Sequence, residues 1–474
     1  MMKMKGCMKK IPLTVQQEAV LHEILKRYPV ISSMYDDCKK GGGTLYLVGG
    51  AVRDLVIGLD IKDIDIEVHG ISAEQLETML RAYGRVDIVG KSFGVFKLEH
   101  IPIDWALPRT DSAGRKPHVV IDPSLSLHDA LQRRDVTMNA LALDIEKKII
   151  FDPFNGVEDI YNKCLRSPDI QFFSQDPLRF FRIMQFIGRF EMCPDKELTA
   201  LCTTMDITGV SRERIETEFE KLLLKSQFPS RGIRWLLEIG RLHELFPELA
   251  VLKTIPQNPT WHPEGDVFEH TMQALDAAAH ISLSDQKEHL ILMYATLCHD
   301  LGKATTTREV DGKIISYGHD IAGVPLAKKF LQKITHNSEI IETVQCLVRY
   351  HMMPGAFVKQ NASGAAYKRL ALKLNPVTTL RMLAHLAYAD QQGRNGAAST
   401  PLSSPNTCID TFIQQAQKAG VFDGIEKPVL EGHDVLPFVA PGPEVGKLLR
   451  EAYRIQINEN IHDKEELKKR ILKK

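Results

Sequence analysis

No run of about eighteen apolar residues occurs in the chain, so a membrane-spanning helix is not expected. The lysines between Met1 and Pro12 have no apolar segment behind them, which argues against a secretory signal and points to a cytoplasmic protein with no membrane partner. The eight cysteines are scattered without a Cys-x-x-Cys pair, excluding a disulfide framework or a thiolate zinc site. Net charge is lacking too: Lys plus Arg and Asp plus Glu both number 60, so any nucleic-acid partner must be held by a local basic surface. The basic stretch from Lys464 to Lys474 reads as a solvated helical tail. There is no internal repeat and no low-complexity tract.

What the chain does have is length and an ordinary globular balance. Its 474 residues, 44% hydrophobic and 25% charged, suit two to four domains. Up to residue 160 short β-type runs, Thr44 to Val48, Asp63 to Val68, Val95 to Leu98 and Ile149 to Phe151, alternate with helical stretches, predicting an α/β head with a small mixed sheet. Beyond residue 170 the segments read as helix, for example Pro177 to Phe190 and Glu213 to Leu224. Breaks at Ser167-Pro168, around Pro256 to Pro259 and across Gly393 to Pro405 divide the chain into a head (1–165), a helical neck (166–255), a third unit (256–395) and a C-terminal helical tail (396–474).

The head carries the first constellation. Gly49 and Gly50 end a hydrophobic strand, and Ala51 to Leu55 looks like a helix start. Backbone without side chains there lets amides approach a triphosphate, the helix N-terminus favours the anion, and Arg53 offers a charged fork. Taken alone this is an ordinary turn. Downstream, however, Asp63 and Asp65 flank a single residue in a strand, so both carboxylates point to one face and can hold two Mg²⁺ ions. Asp104, in the apolar run Ile103 to Leu107, is the candidate third acid on a neighbouring strand. Arg133-Arg134-Asp135 by itself reads as a surface ion-pair cluster, although Asp135 is placed to accept from a ribose hydroxyl. Asp176-Pro177 is a plain helix start, cap then first residue. On the helix that follows, Arg179, Arg182 and Arg189 form a basic stripe beside Phe180 and Phe181.

Taken in order, Gly49-Gly50-x-x-Arg53-Asp54, Asp63-x-Asp65, Arg133 to Ala142, Asp152-Pro153-Phe154-Asn155-Gly156, Asp176 to Arg179 and Ser211 to Ile215 resemble the polymerase-β-like nucleotidyltransferases. Within that superfamily they are similar to the class II tRNA nucleotidyltransferases, the CCA-adding enzymes and their bacterial poly(A) polymerase relatives. The resemblance implies that Gly49, Gly50 and Arg53 hold the triphosphate of CTP or ATP and that Asp63 and Asp65 hold Mg²⁺. It places Arg134, Asp135 and Asn139 on the sugar side. It also implies that Asp176 and Arg179, with Arg182 nearby, pair with the base edge as a protein template admitting C and A. The family has Glu before this Asp where this chain has Gln175, whose neutral side chain cannot pin Arg179 through an ion pair.

A second constellation runs from Trp261-His262-Pro263-Glu264-Gly265-Asp266 to His270, continues at His299-Asp300 after the apolar helix Leu290 to Leu297, and ends at Asp390. Imidazoles and carboxylates suit a divalent ion, and a water bound to it is a hydrolytic nucleophile. His270, His299, Asp300 and Asp390 resemble the H…HD…D order of the HD phosphohydrolases, a resemblance that implies a Ni²⁺, Mn²⁺ or Mg²⁺ centre with phosphatase or 2′,3′-cyclic phosphodiesterase activity. His319 and His351 are further ligand candidates. The leading expectation is therefore template-independent addition of C, C and A to the 3′ end of tRNA, with the tail gripping the tRNA elbow. The alternatives are a poly(A) polymerase or partial CC- or A-adding enzyme, a metal-dependent phosphohydrolase with a regulatory head, and a catalytically dead RNA-binding protein. Retention of both Asp63 and Asp65 speaks against the last.

Overall fold

Along Ile64–His69 the apolar residues Ile64, Ile66 and Val68 are buried, while Asp65 and His69 reach the other face, the two-residue alternation of a strand packed on one side. That strand sits near the middle of the N-terminal sheet. The computed structural model describes residues 8–89, 94–111 and 119–472, and it divides after Ile215 into two units. Cys7, Lys473 and Lys474 lie outside the described residues, and the seven described cysteines are free.

The first unit is built on an eight-stranded mixed sheet. Its spatial order is Lys9–Pro12, Ile149–Asp152, Ala142–Asp144, Thr44–Val48, Ile64–His69, Ile103–Ala106, Val95–Leu98 and Val86–Val89. Neighbours are antiparallel except Ile64–His69 with Ile103–Ala106, which run parallel in this sheet. Lys9–Pro12, Val86–Val89 and Ala142–Asp144 widen the sheet beyond the small one expected, because strands of three or four residues with charges among them carry too little alternation to stand out. Ile66 and Trp105, both fully buried, anchor the core face; burying a side chain of the size of Ile66 contributes about 1.5–3 kcal/mol.

Two glycines bracket the helix that leaves the sheet, Gly50–Ile57. Gly49 precedes it at φ +67°, and Gly58 closes it at φ +83° with its N–H on the Asp54 carbonyl. Asp63 falls one residue before its strand begins. Helix Leu178–Phe190 starts with Pro177 in the capping position rather than Asp176, a shift of one residue, although the Asp176 carboxylate still accepts from Leu178 N at 3.1 Å. Phe180 and Phe181 are core residues packed edge to face at 5.4 Å, not a surface beside the arginines.

The second unit is largely helical. Gln286–Cys298 is buried on all sides from Leu290 onward, as a central helix must be, and Val267–Ala279, Ser338–Tyr350 and Leu380–Gln392 belong to the same unit. A hairpin, Arg308–Val310 with Lys313–Ile315, interrupts the helical pattern through a turn in which Asp311 and Gly312 both take positive φ. The C-terminal helix Lys464–Leu472 is not a free solvated tail: Leu467 and Ile471 are buried in a local core with Val435, Ala452 and Ile455. Among the described residues no helix is long and apolar enough to cross a membrane.

Candidate active sites

Parallel pairing sets Asp65 directly against Asp104, so the two carboxylates stand on adjacent strands about 4.8 Å apart in the sheet. Asp63 is exposed at the strand entrance and Asp104 pairs with Lys97 at 2.8 Å. Burial raises the Asp65 carboxyl above its ordinary range; Arg134 opposes this, and Asp104 and Asp63 push it further up. Negative charge is therefore concentrated at this point, which suits a divalent cation. The glycine turn is adjacent. A Cβ on Gly49 would lie 3.1 Å from the Arg134 guanidinium and 3.6 Å from Asp65 Oδ2. With φ at +67° the position is strained for any L residue, so Gly49→Ala is expected to cost about 1–3 kcal/mol, read as a lower denaturant midpoint in equilibrium unfolding.

Glu67, two residues beyond Asp65 on the same face, was not singled out from the sequence. It is 1% exposed and accepts from His69 Nε2 at 3.1 Å and from Arg134 at 3.3 Å, with Arg133 at 3.7 Å. Burial alone would raise its carboxyl, yet His69 and the two guanidinia hold it at about 2. The signal was present as a third acid in the period-two series from Asp63. Arg133-Arg134 is thus docked on a buried carboxylate rather than standing as a surface cluster.

Behind the turn runs a second chain of contacts. Arg53 is 6% exposed, donates to Asn139 Oδ1 at 2.7 Å and to Asp54 at 2.9 Å, and lies over the Phe190 ring. Asn139 donates to Asp135 Oδ1 at 3.0 Å, and Arg182 Nε donates to Asp135 Oδ2 at 2.6 Å. Despite burial, Arg182 and Asn139 hold Asp135 well below the usual carboxylate range. Arg53 is accordingly a buried brace beneath the turn, not an extended fork, and the Asp135 oxygens are engaged within the protein. At the helix start, Arg179 donates to the carbonyls of Phe172 at 2.8 Å and Arg133 at 2.6 Å, while Asp176 pairs with Arg214 at 3.2 Å. Main-chain oxygens thus orient Arg179 where Gln175 offers no charge.

The second unit brings His270, His299, Asp300, Asp390, His319 and His351 together. His270 Nε2 is 3.3 Å from His299 Nε2, 3.6 Å from Asp300 Oδ2 and 3.1 Å from Asp390 Oδ1. Asp300 Oδ2 is 3.3 Å from His299, and its Oδ1 is 3.4 Å from His319 and 4.0 Å from His351. One carboxylate therefore faces two histidine pairs. All six are at most 8% exposed. His319 and His351 approach Nε2 to Nε2 at 3.1 Å, while their Nδ1 atoms lie 2.7 Å from the Ser316 and Val348 carbonyls. Carbonyls only accept, so the Nδ1 atoms carry protons, and two neutral rings would turn their Nε2 lone pairs toward each other in a buried site. Such an arrangement fits a cation between them. Sequence reasoning quoted His262 and Glu264 within their run but gave neither them nor Lys303 a role: His262 and Glu264 lie in the Pro- and Gly-containing segment before the helix Val267–Ala279, whose fold no local period encodes, and Lys303 pairs with Asp300 at 2.7 Å and donates to Gln257 at 2.7 Å.

Comparison with known proteins gives three family matches: Poly A polymerase head domain over residues 45–166, probable RNA and SrmB-binding site of polymerase A over residues 198–252, and HD domain over residues 267–387. A multifunctional CCA protein of Neisseria meningitidis is 36% identical over 369 residues, covering 75% of this chain and 84% of the relative. One of Pasteurella multocida is 33% identical over 367 residues, covering 74% and 84%. Among solved structures, the Bacillus stearothermophilus CCA-adding enzyme in complex with CTP aligns with a TM-score of 0.60 at 20% identity, over 97% of this chain and 98% of that one. The Thermotoga maritima CCA-adding enzyme complexed with tRNA aligns at 0.56 and 16% identity, over 94% and 95%. At these identities the structural matches speak for the fold.

Proposed function

The chain belongs to the multifunctional CCA protein family, and we propose that its head performs template-independent addition of C, C and A to the 3′ end of tRNA, using CTP and ATP. The observation that carries this is the pairing of Asp65 with Asp104 across two parallel strands, with Asp63 at the strand entrance and the Gly49 turn and Arg134 alongside. Asp63, Asp65 and Asp104 are the residues that would hold Mg²⁺. Bound there, the ions supply acidity to the attacking hydroxyl and charge neutralisation to the departing pyrophosphate.

The chain's own groups do the remainder by position. Gly49 and Gly50 leave the backbone amides open to the triphosphate, and Arg134, tethered to Glu67, faces the same turn. Arg53, Asn139, Asp135 and Arg182 form one braced row that fixes the wall on which the sugar rests. Asp176 and Arg179 are assigned the base edge, with Arg179 held by the carbonyls of Phe172 and Arg133. We assign residues 1–165 to the head, 166–255 to the neck, 256–395 to the HD unit and 396–474 to the tail that grips the tRNA elbow by shape and phosphate contacts. The setting is cytoplasmic.

The second unit is assigned a metal-dependent phosphohydrolase activity on the cluster His270, His299, Asp300 and Asp390, with His319 and His351 sharing Asp300 as a further seat. The imidazoles suit Ni²⁺, and the carboxylates beside them admit Mn²⁺ or Mg²⁺. The experiment for the head is incubation with a tRNA lacking its last three nucleotides, followed by sequencing of the products. Ordered C, C, A ends are expected with both nucleotides present and extension by C alone with CTP only; homopolymeric A tails would overturn the assignment.

A further inference from the structure

Four histidines point Nε2 into the metal cluster, and three of them are aligned by one local device. His299, His319 and His351 each set Nδ1 2.7 Å from the carbonyl three residues earlier, at Thr296, Ser316 and Val348. His299 and His351 do so as the residues that close their helices. His270 stands instead within the first turn of Val267–Ala279 and is aligned from outside that helix. Its Nδ1 lies 2.8 Å from Glu264 Oε1 and 3.1 Å from the Gly393 carbonyl. The Glu264 side chain is 0% exposed, and the same oxygen also takes His262 Nδ1 at 2.9 Å.

The loop holding Glu264 is itself fixed. Asp266 caps the helix through Glu269 N at 2.8 Å and pairs with Lys253 at 2.8 Å. On the other side Pro263 packs so tightly against Gly396 that a Cβ there would sit 2.7 Å from the proline ring. Glu264 is thus a fully buried charge, held by a braced loop and aimed at the one imidazole of the four that lacks the carbonyl three residues upstream.

We propose that Glu264 is the positioning residue of the metal centre: it fixes the ring and Nδ1 proton of His270, so that Nε2 is presented to a divalent ion shared with His299, Asp300 and Asp390, while His262 holds Glu264 in place. The proposal rests on reading the cluster as a metal centre. A carboxylate on the far nitrogen of a ligand imidazole both orients the ring and strengthens its lone pair, and loss of such a partner weakens metal affinity about 10–100-fold.

The test uses the full-length protein stripped of metal and titrated with Mn²⁺ against a chelator of known affinity, beside Glu264→Gln and His262→Asn. Glu264→Gln is expected to bind Mn²⁺ about 10–100-fold more weakly, and His262→Asn to lose a smaller factor. The visible absorption of the Co²⁺-loaded protein is expected to shift in Glu264→Gln, because the His270 donor weakens; a glutamate with a packing role alone would leave that band in place. Circular dichroism reports whether the helices persist. If Glu264→Gln does not fold, His262→Asn decides, and parental Mn²⁺ affinity in it overturns the proposal. Parental affinity in a folded Glu264→Gln, or a larger loss in His262→Asn than in Glu264→Gln, overturns it as well. A parent that takes up neither ion overturns the metal-centre reading, and this one with it.

Discussion

Asp65→Asn is expected to lower incorporation of CTP and ATP into truncated tRNA by on the order of 10³-fold, with hydrolysis by the second unit unchanged. The substitution preserves shape and removes one charge from the point where Asp63, Asp65 and Asp104 concentrate theirs. Stabilisation of transition-state charge by bound ions is worth several kcal/mol, and each ~1.4 kcal/mol is a tenfold change in rate, so a loss of ~4 kcal/mol gives the stated factor. Single-turnover extension of end-labelled tRNA measures it at saturating nucleotide. A rate within tenfold of the parent would remove Asp65 from the chemistry and with it the proposed seat of the ions.

The counterpart in the second unit is Asp300→Asn. Its two oxygens face different histidine pairs, so one substitution disturbs both seats. Phosphatase activity toward p-nitrophenyl phosphate and hydrolysis of 2′,3′-cyclic AMP are expected to fall by on the order of 10³-fold, and metal content to fall in parallel. A stability cost is also expected. Lys303 is 8% exposed and loses its carboxylate partner at 2.7 Å, keeping only the neutral Gln257, and leaving a buried cation without its counter-charge costs about 3–5 kcal/mol. Denaturant unfolding separates this from the catalytic loss, because Lys303→Met in the same background is expected to restore stability without restoring hydrolysis. Hydrolysis that persists in Asp300→Asn would place that activity elsewhere.

The sequence disclosed the chemistry better than the scaffold that aims it. Gly49, Asp63 and Asp65 lie within one short stretch and carry a local pattern, and His299-Asp300 announces itself after an apolar helix, so both candidate clusters stood out. Asp104 was legible as a candidate because it alternates with Ile103 and Trp105, whereas its pairing with Asp65 depends on a register that no local pattern encodes. Glu67 went unnoticed, and Glu264 was quoted without a role, for a related reason. Glu67 meets Arg134 far along the chain, while Glu264 reaches the ring of nearby His270 only because the loop before the helix folds back to place it there beside the distant Gly393 carbonyl. The short strands Lys9–Pro12 and Ala142–Asp144 were hidden because their pairing partners, not their composition, make them strands. Arg53 was offered to the triphosphate because a cation beside a glycine turn suggests it; the contacts with Asn139 and the Phe190 ring that bury it are tertiary.

Ile66 and Trp105 occupy the opposite face of the same two strands that carry Asp65 and Asp104, and they pair across the same ladder. The spacing of the acids is therefore inherited from an oily seam behind them, and the enzyme's tolerance for mispositioned ions is set where no ion goes. Trimming that seam, for instance Trp105→Leu, would let the ladder slide or splay by fractions of an ångström and would surface first as slow chemistry in a protein that still folds and still binds its nucleotide.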